Sequence, residues 1–233
     1  MKIDLRSKNS ELIPYRIWDF PIRFIHWALV LFIALSWWSA ESGFHKIHVL
    51  SGYIVLTLAL IRLYWGFYGS ASARFGNFVR GPQATWSYAR QIFSRPGIIS
   101  SGHNPMGALS VLAMLGLLLT QPLLGLFAKD IDGLHSGPLS HLVSFKVGRV
   151  IAQLHYLLFE LLIIFIVIHF LAVIFYVFYK RHGIILAMIS GYKKLPPGSH
   201  KEALFVPLWR AVIALGVAII LMLSLHFIAA ELK

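Results

Sequence analysis

The chain has 233 residues, 58% of them hydrophobic and 13% charged, with a formal charge of +12 and no cysteine; mean hydropathy is +0.74. That balance excludes an ordinary water-soluble domain. The lack of cysteine excludes disulfides, thiolate-held iron–sulfur clusters, thioether-linked haem and cysteine zinc sites. Because the cations sit between long apolar runs rather than on one continuous face, they argue against a nucleic-acid surface and bear on membrane topology instead.

Five stretches are long and apolar enough to cross a hydrocarbon core of about 30 Å at 1.5 Å per residue: roughly 18–40, 46–69, 104–128, 150–179 and 205–229. The polar first twenty residues and the poor cleavage site after the first run predict no removable leader. Glu41-Ser42-Gly43 forms a tight turn that makes the first two helices antiparallel neighbours. The basic segment 70–103 is rich in Gly and Ser and is expected at the headgroup surface, with a short amphipathic helix over 84–94. Asn104 before Pro105 is a capping arrangement for the third helix, and Gln121-Pro122 marks a kink with freed carbonyls inside it. Segment 129–148, with Asp130 and Asp132, is the longest polar stretch on the opposite side and a surface for a docking partner. With a cytoplasmic N-terminus, 16 of the 21 Lys and Arg fall inside, which is the orientation the positive-inside rule favours.

The informative residues are histidines inside apolar helices, because an imidazole in lipid is costly without a partner. His26 lies in the first helix, His48 near the start of the second, and His155 and His169 in the fourth. Fourteen residues are almost four whole turns, so His155 and His169 point the same way, roughly 21 Å apart along the axis. The up-down topology then sets His26 level with His169 in the inner half and His48 level with His155 in the outer half. Each layer can clamp the iron of one haem from both sides, which suits electron transfer rather than oxygen binding. Gly52, one turn after His48, leaves room for a macrocycle. A lone membrane histidine is more often a packing residue, so the weight rests on the four together. His45, one turn before His48, is expected in an exposed position, His226 as a packing residue, and His182 and His200 near solvent.

Several further residues are candidates for supporting roles. Arg23, three residues before His26, is the first choice to meet the propionates of an inner haem, or else a simple interfacial anchor; Lys180 is an alternative. Lys46, Arg149 and Tyr53 are the outer candidates, and Trp27, Trp37 and Trp38 belong to the aromatic belts. Glu160 is the one carboxylate deep in a predicted helix; it either serves a quinone site or pairs with another helix.

RFIHW in the first helix, HxxxG and then RLYWG in the second, GHNPMGALSVLAML opening the third, His155 and His169 in the fourth and the trailing AMISGYKK resemble the bacterial cytochrome b561 and nickel–iron hydrogenase b-type cytochrome family. The resemblance spans roughly residues 15–195. It implies an all-α integral membrane fold with a four-helix dihaem bundle in 1–195, to which 196–233 adds a fifth spanning helix. It also implies two haem b, non-covalently held by histidine pairs, and electron exchange between a membrane quinone pool and a redox partner such as a c-type cytochrome or a hydrogenase subunit. The bacterial inner membrane is the expected location. Two other functions stay open: a stand-alone superoxide:quinone oxidoreductase, and a non-redox polytopic protein that uses its histidines for protons or packing.

Overall fold

The computed structural model describes residues 12–93, 104–131, 135–198 and 204–231. Helix α1 runs Phe20–Glu41, α2 His45–Tyr68, α5 Pro105–Phe127 and α6 Phe145–Ile174. All four are long and apolar enough to cross a membrane, α6 together with the π turn Phe175–Tyr179 that prolongs it. A fifth helix, α8, spans Trp209–Glu231 and packs against α2. Between α2 and α5 lie two short surface helices, α3 (Phe75–Phe78) and α4 (Pro82–Arg90), where one amphipathic helix over 84–94 was expected.

The ends of the helices follow local chemistry. Asp19 caps α1 by accepting from the Ile22 amide at 2.9 Å, with Pro21 in the first turn, where its missing N–H is harmless. Asn104 caps α5 in the same way, accepting from Gly107 at 2.8 Å, so its expected capping role holds. Helix α6 starts at Phe145, five residues before the sequence-based boundary, because Ser144 caps it through the Val147 amide. The α1–α2 turn passes through Gly43 at φ +74°, a left-handed conformation that glycine adopts without strain.

An antiparallel ribbon pairs β1 (Ile13–Arg16) with β2 (Tyr192–Leu195), the second strand following the short helix α7 (Ile184–Ser190). The all-helical expectation did not include it. It ties the segment before α1 to the segment after α6, so both lie at one end of the bundle. Ile17, Trp18, Ile22, Trp65, Ala187 and Leu195 form a closed core there. Trp65 is fully buried and donates its indole N–H to Asp19 at 2.8 Å, which satisfies the remaining carboxylate oxygen.

Helices α1 and α2 pack as a close pair, and α6 packs along α5. Helix α6 stands off from α1 and α2, and the space between them is crossed by side chains rather than by backbone contact. Val55 and Ala59 of α2, Leu115 and Leu118 of α5 and Leu162 of α6 form one buried apolar cluster between these helices.

Candidate functional site

The histidines meet across that gap in twos. At the end bearing the α1–α2 turn, the His48 and His155 rings lie with centroids 6.1 Å apart and planes at 90°. At the ribbon end, His26 and His169 stand 6.5 Å apart at 55°. Imidazole–metal bonds are about 2 Å long, so two rings gripping one metal in line have centroids roughly 6 Å apart. Both pairs have that separation. Among the described residues, no three His, Cys, Asp or Glu side chains gather as a metal-ion site; two opposed imidazoles fit a metal whose other positions a macrocycle supplies.

The His48–His155 pair, termed outer by its distance from the ribbon as the His26–His169 pair is termed inner, is also oriented. His48 Nδ1 lies 2.9 Å from the Ser36 carbonyl, and His155 Nδ1 lies 2.8 Å from the Gln121 carbonyl. A carbonyl oxygen can only accept, so each Nδ1 carries the proton and each Nε2 presents a lone pair. Metal-ligating histidines commonly have this second hydrogen bond. The Gln121 side-chain amide sits 3.4 Å from His155 Nε2, in keeping with an acceptor there. Pro122 lacks an N–H and interrupts the α5 ladder in the turn from which the Gln121 carbonyl projects.

A cavity of about 400 Å³ opens beside this pair, walled by all four helices through residues such as Trp37, Gly52, Tyr53, Leu118, Phe159 and Leu162. Gly52 leaves open space: a Cβ built there meets nothing within 4 Å. Gly125 is the opposite case, since a Cβ there would come within 2.9 Å of the His155 ring. A second pocket of about 320 Å³ continues past the same two histidines to the surface, where Lys129, Arg149 and His135 line it. His48, Val49, Gly125 and His155 border both spaces, so the slot runs through the pair to the bundle end.

The inner pair is held differently. His26 Nδ1 is buried without a hydrogen-bond partner among the described residues, and its ring meets Trp27 edge-on at 5.1 Å. Trp27, expected only in an aromatic belt, donates to the Met188 carbonyl at 3.3 Å. Arg23 bonds the Ile189 carbonyl, and its Nε is buried without a partner.

Other expectations resolve one by one. His45 is half-buried rather than exposed, its ring set edge-on to His135 at 5.2 Å. Arg149 and Tyr53 line the outer spaces, while Lys46 is exposed. Glu160 is exposed on the far side of α6 and lines neither space. Asp132, His200 and the His226 side chain fall outside the described residues. Sequence reasoning missed Ser36, Gly125, Lys129 and His135. For Gly125 the available signal was its position one turn after Gln121 on α5; for the rest there was none, since their roles depend on neighbours far away in the chain.

The family model for prokaryotic cytochrome b561 matches residues 17–191. The chain belongs to that family. No curated protein and no solved structure matches it. As a member, the chain is a multi-pass membrane cytochrome that binds b-type haem and acts in electron transfer. The matched region contains all four paired histidines and both pockets, whereas the two ribbon strands flank it and α8 lies beyond it.

Proposed function

We propose that this cytochrome carries two haem b, one between His48 and His155 and one between His26 and His169. In this reading it passes electrons between the membrane quinone pool and a redox partner, such as a c-type cytochrome or a dehydrogenase or hydrogenase subunit. The observation that carries the proposal is the outer pair: two imidazoles with Nδ1 committed to carbonyls, 6.1 Å apart, beside a slot walled by four helices.

A haem iron held by His48 and His155, or by His26 and His169, would supply one-electron chemistry suited to electron transfer. The protein supplies position and electrostatics. The Ser36 and Gln121 carbonyls hold the outer rings in register and raise their basicity as ligands. Gly52 leaves the cavity open, and Gly125 lets α5 approach the His155 ring without a clash. Lys129 and Arg149, at the surface mouth of the slot, are placed to receive carboxylates there, and Arg23 has a free donor to do so at the inner level. The apolar residues between the levels keep water and loose protons from the space separating them.

The proposed placement is a bacterial inner membrane, with the N-terminus and ribbon in the cytoplasm, on the strength of the basic residues gathered at that end. Residues 1–195 form the haem domain and α8 a fifth spanning helix. Pocket residues at the outer mouth then face the periplasmic side, where a partner would dock near Asp130.

Purified protein tests the proposal. A pyridine haemochrome count near two per chain is expected, with reduced-minus-oxidised bands of low-spin b haem; a colourless preparation from haem-replete cells would reject it in favour of a non-redox role. Quinone and superoxide added without a partner should give no turnover. Steady turnover would instead identify a stand-alone superoxide:quinone oxidoreductase.

A further inference from the structure

Helix α6 presents its histidines to the bundle and, on the opposite side, a broad face that no described residue covers. Most of that face needs no covering, since lipid tails are as apolar as leucine. Gln153 and Glu160 are different. Both are exposed, neither hydrogen-bonds nor pairs with any described residue, and Glu160 sits near the middle of the 35-residue span Phe145–Tyr179. A carboxyl group there faces hydrocarbon unless protein meets it.

The spacing around these residues is regular. Gln153, Leu157, Glu160, Ile164, Val167 and Leu171 succeed one another at alternating intervals of four and three, and all six are exposed. Gln153 and Glu160, seven residues apart on this face, have the spacing of the seam in a left-handed helix pair, where an occasional polar residue fixes register and partner. None of the six lines either pocket.

We propose that this stripe joins two copies of the chain, α6 against α6, about a two-fold axis along the membrane normal. Copies inserted in the same orientation bring each residue to its own counterpart at equal depth. A carboxylic acid and a carboxamide each donate and accept, so Glu160 meets Glu160 and Gln153 meets Gln153 without mismatch. A foreign helix would need a suitable polar group at two separate depths; a second copy provides both. The histidines of each protomer point away from the seam, so the assembly leaves the slots intact and does not depend on how many haems they hold.

The native chain has no cysteine, so single-cysteine variants report contacts without background. Leu157→Cys and Ile164→Cys lie on the stripe. Leu154→Cys and Phe170→Cys are also exposed but lie about 100° to either side of it. Oxidation in native membranes should give disulfide-linked dimers of the chain at the first two positions, roughly tenfold more than at the last two. Equal yields at all four, no dimer at any, or cross-linking of the stripe to a different protein would overturn the proposal. In mild detergent, Glu160→Leu should weaken the dimer roughly threefold to thirtyfold, while Glu160→Gln, which keeps a donor and an acceptor, holds it. A dimer unaffected by Glu160→Leu would likewise overturn the pairing. Haem content should be unchanged in every variant, which separates failure of the seam from failure of the haem assignment.

Discussion

At the outer level both imidazoles commit their Nδ1 protons to backbone carbonyls, one on α1 and one on α5, beside an open cavity. At the inner level His26 Nδ1 has no such anchor among the described residues, and its ring is positioned by burial and by the edge of Trp27. One layer is preorganised by main-chain hydrogen bonds, which no side-chain substitution removes directly; the other depends on packing, which a single truncation loosens. The difference predicts that the two proposed haems respond to mutation in distinct ways.

The largest effects should come from the ligands. His48→Ala or His155→Ala should remove one haem of two and leave the inner spectrum in place, and His26→Ala or His169→Ala should do the reverse, read by haemochrome content and difference spectra. Loss of both haems from either substitution would show that the levels are not independent. Next is Gly52→Leu. The new side chain enters open space, so the helix should fold and even gain about 0.5–1 kcal/mol of local stability, while the haem count drops by one at the outer level. An unchanged count would mean that no macrocycle occupies that cavity.

The supporting residues should separate the layers more finely. Trp27→Leu removes the edge-on contact to His26, worth about 0.5–1.5 kcal/mol beyond its buried area, and should weaken inner haem retention severalfold without touching the outer band. Gln121→Leu keeps the carbonyl bond to His155 and loses only a long side-chain contact, so outer haem retention should change less than inner retention does in Trp27→Leu; titration with free haem measures both. A larger outer loss would show that the amide, not the carbonyl, positions the ring.

The smallest effect concerns the ribbon end, outside the membrane-spanning helices. Burial, and then the nearby Lys193 and Lys180, lower the pKa of His182 from its usual 6.5. A lowered histidine pKa means that the unfolded chain binds more protons over the interval below 6.5, so stability is greatest above that value and declines as pH falls through it. His182→Gln should flatten this decline in thermal melts, with the outer band unaffected.

Much of this is legible in the sequence. Five apolar runs read as helices, and each corresponds to one of the five long helices among the described residues, four of them long and apolar enough to span a membrane. Depth was legible because up-down connectivity and a fixed rise per residue place His26 with His169 and His48 with His155, and those are the rings that meet. Other features were hidden. The β1–β2 ribbon joins segments almost 180 residues apart, and neither four-residue stretch has a pattern that names its partner. His45 looked like a surface residue because its neighbour His135 lies in a distant loop.

The sequence by itself determined that the chain spans a membrane, where its long apolar helices run and that His155 and His169 share one helix face, since helix rise and the bilayer's demand for internally satisfied backbone are local, additive properties. Only the tertiary structure decided how far α6 stands from α1 and α2, which carbonyl each outer imidazole meets, and which glycine opens a cavity and which one touches a ring. These depend on the crossing of helices and the interlocking of side chains distant in the chain, and no periodicity along one helix encodes the distance to another.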